Sequence, residues 1–427
     1  MSRVLQAWSS MSSRSRFFVR RLRERLWVKP LMICLLSIAA AFTAGLADQF
    51  EFEYIPEISR ESVETLLSIL SASMLVIAVF AVGAMLSAYA SASNAATPRT
   101  FPVVVSDDVS QNALSTFIGS FIFSIIAQIA LMNGYYEEQG RFALFLLTAL
   151  VFSVVILGFV RWVDRIARLG RLGSTIDKVE AVVINTLKQR ARHPTMRANK
   201  AGEFETGIAI YADRVGYVQH IDVAKLQRLA EQQDFRLQVA AMPGSFATPG
   251  QALAYINGVI DDEAAIASIK EAFILGGDRT FDEDPRFGLV VLAEIASRAL
   301  SPAVNDPGTA IDIIGTLLRM FVIWTDNYEE VDSEAVEFNR IAVPELSASD
   351  MMDDAFNAIA RDGAGTIEVA LRLQKTFEAL ALLENNNIKV AASQHADYAY
   401  KHAELALKLD EDIATLRSAM AWKNAVS

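Results

Sequence analysis

The densest run of chemically capable side chains is 278–284, Asp-Arg-Thr-Phe-Asp-Glu-Asp, followed beyond one helical stretch by Asn305, Asp306 and Thr309. Asp278, Arg279, Asp284, Asn305, Asp306 and Thr309 make the candidate ligand or ion loop. Carboxylate and amide oxygens are the hard donors that Mg²⁺ or Ca²⁺ takes, so a divalent cation is the one cofactor these residues suggest. No other cofactor is evident, and the metal itself is not assigned. The same residues carry a second reading. Asn305, Asp306 and Thr309 can cap a helix whose first turn holds Pro307, and Arg279 or Arg298 can pair with a loop carboxylate.

A second set lies in an apolar stretch. Asn112, Thr116, Ser120, Ser124 and Gln128 recur every four residues, a slowly winding polar stripe on one helix. Five polar groups inside a membrane need partners. Interhelical hydrogen bonds supply them at roughly 0.6 to 2 kcal/mol each, whereas a water-filled path is the functional alternative. With no ionisable residue between 109 and 134, a proton relay is disfavoured and a weakly selective pore is permitted.

Elsewhere the chemistry is sparse. His395, Tyr398, His402 and Glu404 fall near one another on a helix, but the His spacing matches no common zinc motif and reads as a surface pair. No nucleophile motif, Walker loop or dinucleotide fingerprint occurs, so an enzyme is not expected. The single cysteine, Cys34, excludes a disulfide within one chain.

The elements that position these sets divide in two. A chain that is 52% hydrophobic yet 21% charged must join a lipid-soluble part to an ordinary globular one. The first 165 residues are near neutral, so the remainder carries about −12 of a net charge of −11, and a nucleic-acid partner is not expected. Uncharged runs at 65–98 and 109–134 exceed the ~20 residues a bilayer requires. With 31–47 and 142–160 they predict four spans, about 31–47, 65–92, 111–133 and 142–160, within a transmembrane domain 31–165. The basic segment 1–30 could open a signal peptide, but its length, Pro30 and the lack of a small-residue cleavage site favour a first span. Acidic loops at 48–61 and 137–138 contrast with this basic segment and with Arg161, Arg165, Arg168 and Arg171. The positive-inside rule then places both termini in the cytoplasm of a bacterial inner (plasma) membrane. Ser68, Ala72, Gly83, Ser87, Ser91 and Asn94 share one small-residue face of the second span, which predicts close packing and a homo-oligomer.

The cytoplasmic part is expected to be α+β. A connector, 166–201, carries Lys188, Arg190, Arg192 and Arg197 either along the membrane surface or on a solvated helix face. A small β-rich module, 202–258, shows period-two patterning, with Asp222 capping a helix at 223–232. Its 242–256 stretch is similar to the hairpin of biotinyl and lipoyl carrier domains, without a modifiable lysine at the expected place. A mainly helical domain, 259–427, follows, with helices at 261–273, 287–300, 310–324, 349–361, 367–383 and 392–422 and a strand at 338–343.

The pattern DRTxxxDxxFGLxxLxxIAxRALSPxxNDPxTA, read from Asp278 to Ala310, together with Pro98-Arg99 and QNALSTFIGSF at 111–121, resembles the bacterial predicted-membrane-protein family catalogued as domain-of-unknown-function family 2254. The resemblance implies membrane helices followed by a cytoplasmic domain and brings no activity with it. Two function classes follow. One is a channel or transport-like pore lined by the polar stripe and gated by the cytoplasmic domain. The other is a non-conducting scaffold or sensor in the lipid bilayer, whose cytoplasmic domain binds a partner or small ligand.

Overall fold

A computed structural model describes residues 27–50, 56–202, 207–258, 260, 262–328 and 336–423. The basic segment 1–26 and residues 51–55 of the acidic loop lie outside the described residues. The chain divides into two compact units, one ending at Thr175 and the other beginning at Ile176.

The first unit is helical. Helix α1 (Val28–Thr43) runs into a 3₁₀ turn (Ala44–Gln49), followed by α2 (Arg60–Ala95), a short α3 (Phe101–Val105), α4 (Asp108–Met132) and α5 (Glu138–Leu169). Side chains start the helices: Ser59 accepts from the Ser62 N–H, and Asp107 from the Ser110 N–H, each satisfying a donor the first turn leaves open. Polar bonds join the helix ends in two groups. Lys29 pairs with Asp108, and Arg165 donates to Asp107 from Nε and Nη2 at 2.8 and 2.6 Å. At the other ends, Asp48 accepts from the Glu137 and Gly140 N–H groups, the Tyr136 hydroxyl donates to Ala41 O at 2.7 Å, and Arg60 donates to Met132 O at 3.0 Å. The starts of α1 and α4 therefore share one end with the finish of α5, so successive long helices alternate in direction. Between the ends the core is apolar, with Phe117 and Trp162 edge to face at 6.3 Å. Helices α2, α4 and α5 are longer than their sequence-derived spans, whereas α1 ends at Thr43, short of the expected 47; α2, at 36 residues, is about 54 Å long.

In the second unit, α6 (Leu172–Arg192) crosses the division and leads to β1 (Ala198–Lys200), β2 (Ile208–Tyr211), β3 (Gly216–Ile221), α7 (Val223–Gln232), β4 (Arg236–Val239), β5 (Phe246–Ala247), β6 (Ala252–Asn257), α8 (Glu263–Glu271) and β7 (Phe273–Gly276). Then come α9 (Pro285–Ala299), α10 (Pro307–Asp326), β8 (Phe338–Val343), α11 (Ala348–Asp362), α12 (Ile367–Ala381), α13 (Asn386–Ala406) and α14 (Asp410–Ala419). The strands form a five-stranded sheet ordered β1-β8-β4-β6-β2 and a three-stranded sheet ordered β5-β3-β7.

Several local expectations change in this unit. The β region is not confined to 202–258, because β1, β7 and β8 complete its sheets; β8 pairs in parallel with both β1 and β4. The carrier-like stretch does not fold into a hairpin, since β5 pairs with β3 whereas β6 pairs with β2 and β4. The helix expected to reach 273 stops at Glu271, and 273–276 joins β3 as an edge strand. The helix expected over 392–422 breaks after Ala406, where Leu407 turns to extended backbone. His395 is not on the surface: it is 6% exposed, with Nδ1 2.7 Å from Ala391 O and Nε2 3.0 Å from Asp353 Oδ1.

Five of the described helices are long and apolar enough to cross a membrane. The fifth, α10, uses its apolar face within the second unit, where Ile313, Ile314, Leu317, Met320 and Phe321 are fully buried. Arg319 on the same helix forms a two-bond pair with Glu180 of α6.

Candidate functional site

The polar stripe of α4 sits on the innermost helix of its unit. Half of the apolar window of α4 is buried, against 11%, 28% and 17% for α1, α2 and α5. Ser120 and Ser124 are buried, Thr116 and Gln128 half-buried, and Asn112 exposed. The hydroxyls turn back on their own helix, Thr116 donating to Asn112 O and Ser124 to Ser120 O, both at 2.8 Å. That back-bonding satisfies a hydroxyl without any partner helix. Beside them Gly119 admits α1: a Cβ there would collide with the Ile33 Cγ2 and lie 3.0 Å from Ser37 Oγ.

In the second unit the two acidic loops are held by their helices. Asp284 caps α9, accepting from the Phe287 N–H, and Arg279 grips both its oxygens at 2.7 and 3.1 Å. Burial pushes the Asp284 carboxyl above the usual carboxylate range, against the pull of Arg279. Arg279 also lies over the Phe287 ring at 5.3 Å. Asp278 contributes its carbonyl, which accepts from Gln219 Nε2 at 2.7 Å. Asp306 caps α10 through the Thr309 N–H and hydroxyl, at 3.1 and 2.6 Å. Asn305 precedes it in the left-handed region at φ 51°, which Asn tolerates better than most residues. Among the described residues no three His, Cys, Asp or Glu side chains converge as a metal set.

What surrounds the first loop was not singled out in the sequence. The end of α6 and the turn after it border an open cavity of about 200 Å³, lined by Thr186, Gln189, Arg190, His193, Met196 and Arg197 together with Asp282 and Glu283. Thr186 anchors the loop by donating to Phe281 O at 2.8 Å. Arg190 is not on a solvated basic face: it is 7% exposed, and its Nη1 has no hydrogen-bond partner. Burial drives its guanidinium down to about 10, with Glu283 and Asp284 opposing, so it remains a cation at neutral pH. Opposite stands Glu283, whose Oε1 is 2.6 Å from His220 Nδ1 while its Oε2 is buried without a partner. The turn that completes the wall is conformationally costly. Met196 and Arg197 are consecutive non-glycine residues at φ 56° and 66°, a conformation worth roughly 1 to 3 kcal/mol each. Arg197 is anchored there by Glu337, 3.1 Å away, and by its carbonyl, which accepts from the N–H groups of Glu337 and Phe338.

Two glycines allow this assembly. Gly288 of α9 lies against α6, where a Cβ would strike Val183 Cγ2 and come within 2.9 Å of the Val183 Cβ and Cγ1. Gly244, at φ +93°, brings its turn onto Asp284, so that a Cβ would lie 2.8 Å from Oδ1. A sequence signal for Arg190 did exist. Ile176, Val179, Val183 and Leu187 form the buried stripe of α6, and Arg190 occupies the next position on it.

Comparison with known proteins adds a family and no activity. Over 113 residues the chain is 32% identical to an uncharacterized protein of Mycobacterium bovis and to an uncharacterized protein of Mycobacterium tuberculosis, matches that span 25% of this chain and 22% of each relative. No solved structure matches. Residues 23–379 match the family described as "Predicted membrane protein (DUF2254)", and with most of its length inside that match the chain belongs to this family of predicted membrane proteins.

Proposed function

We propose that this chain is a four-span protein of the bacterial inner (plasma) membrane, both termini in the cytoplasm, that senses a small ligand and does not conduct ions. The observation that carries the non-conducting reading is closure of the polar stripe. Thr116 and Ser124 bond to carbonyls of their own helix, and α1 packs onto Gly119 between them, which supports a dry stripe within one chain. The cavity beside Arg190 supports a sensor. The orientation rests on Arg161, Arg165, Arg168 and Arg171 near one end of the bundle, against Asp48, Glu137 and Glu138 at the other. We read the chain as a binding protein rather than an enzyme, with the lipid bilayer as its setting and no nucleic-acid partner. A homo-oligomer is supported by α2: Ser68, Ala72, Gly83, Ser87, Ser91 and Asn94 are all exposed, while Leu67, Met74, Ala81 and Met85 on other faces are buried.

One observation favours a second reading, a pore between subunits. Asn112 is exposed and Thr116 and Gln128 are half-buried, so one edge of the stripe is available to another copy. Ion flux from liposomes holding the purified chain separates the two. Silence with several ions, with and without divalent cations, is the expected result. Flux that Asn112→Leu reduces, in a variant of unchanged melting temperature, would sink the sensor reading in favour of the pore.

A further inference from the structure

Opposite charges line the cavity at the end of α6 without bonding to one another. Arg190 Nη1 and Glu283 Oε2 are both buried, both line the cavity or border it, and neither has a hydrogen-bond partner. A buried charged group with an unmet valence costs more than a neutral one. Both belong to the fold's most constrained region: Glu283 is held through Oε1 by His220, and α6 is held at Thr186 by Phe281 O. The side chains therefore cannot simply collapse onto one another. Whatever fills the gap must offer an acceptor to the guanidinium and a donor to the carboxylate at once. A lone anion would satisfy Arg190 and be repelled by Glu283 and Asp282, and a lone cation would meet the converse. A cavity of about 200 Å³ holds about six waters at ~30 Å³ each, or one small molecule.

We propose that this cavity binds a small zwitterion of the amino-acid type, its carboxylate on Arg190 and its ammonium on Glu283. Gln189, beside Arg190 on the same helix end, can take the second carboxylate oxygen. Arg197 and Asp282 extend each wall with the same sign of charge, which orients the molecule by its dipole. The inference deepens the sensor reading by naming its ligand class. The two fail separately: ion flux would overturn the non-conducting reading and leave binding untouched, whereas a flat titration would overturn the ligand and leave conduction untouched.

The test is calorimetric titration of the purified full chain in detergent with each of the twenty common amino acids, and with acetate, inorganic phosphate and methylammonium at the same concentrations. Saturable binding and a rise of several degrees in melting temperature are expected from at least one amino acid, and neither from the single-charge probes. R190M should abolish the shift while leaving the unliganded melting temperature equal or higher, since an apolar side chain replaces a buried cation. E283Q should weaken binding at least tenfold and serves if R190M does not fold. Three results would each overturn the proposal. In the first, no amino acid binds, which means the cavity holds water only. In the second, acetate or phosphate binds as well as any amino acid. In the third, E283Q binds undiminished.

Discussion

Replacing Gly288 with alanine tests whether the approach of α9 to α6 builds the cavity. The new methyl would meet all three side-chain carbons of Val183, two of them at 2.9 Å. Val183 is 1% exposed and β-branched, so no rotamer change clears the space. Overpacking of this kind costs about 1 to 3 kcal/mol, and the helix gains at most about 1 kcal/mol from Gly to Ala. The net loss is about 1 to 2 kcal/mol, or roughly 2 to 8 °C at ~2 to 4 °C per kcal/mol for a unit of this size. Val183→Ala alone empties a buried site and costs about 2 kcal/mol. In the double variant the alanine methyl at 288 occupies space that Val183 vacated, so its melting temperature should be no lower than that of Val183→Ala. The coupling is then about 1 to 2 kcal/mol in the favourable direction. Fluorescence-detected melting of the four full-length proteins at one scan rate reads this order. A double variant that falls by the sum of the singles would refute the contact between α9 and α6.

Two further perturbations separate caps from charges. Asp306 is held below the ordinary carboxylate range by Thr309, so its stabilisation is present above the unfolded value near 3.9 and is lost as pH falls through the folded value. Asp306→Asn, an equally good cap, should leave melting at pH 7 unchanged and remove this loss below about pH 4, whereas Asp306→Ala should cost about 1 kcal/mol at pH 7; equal melting of the alanine variant at pH 7 would show the cap is idle. In the membrane unit the side chain of Asp107 is 2% exposed and that of Arg165 37%. Arg165→Gln leaves a buried carboxylate without its guanidinium, whereas Asp107→Asn leaves a guanidinium that water can reach, so the first should destabilise more, by about 1 to 2 kcal/mol. Melting of the two variants in the reverse order would refute the burial assignment.

Local signals were readable wherever a side chain bonds within a few residues of itself. Asp222 and Asp306 each accept from the N–H three residues ahead, and their helices begin where those residues fall; Asn385 caps in the same way, but its helix starts at Asn386, six residues before the expected 392. The apolar runs were equally plain, because a bilayer imposes a length. Distant pairings were not. Strand β8 is divided from β1 by almost the whole β region, and neither strand carries a mark naming the other; β7, following α8 by one residue, looks in sequence like that helix's last turn. His395 shows the limit of spacing as a guide, since its acceptor Asp353 comes from another helix.

Arg190 is a different case, because its place on the apolar period of α6 and its residue type point in opposite directions. Grouped with Lys188, Arg192 and Arg197, it reads as one more cation on a wet face. Placed on the period of Ile176, Val179, Val183 and Leu187, it is the next core position. Apolar substitution of a buried charge is commonly neutral or stabilising, so packing alone gives no reason for arginine there. The strained turn at Met196 and Arg197 and the buried Glu283 oxygen opposite add two more costs within the same few residues. Three local costs thus fall around one cavity, and their coincidence supports the binding site we propose there. In the polar stripe of α4, by contrast, the fully buried hydroxyl of Ser124 is satisfied on its own helix. That contrast, more than the loop carboxylates, is what supports our proposal that this chain recognises its ligand at the end of α6.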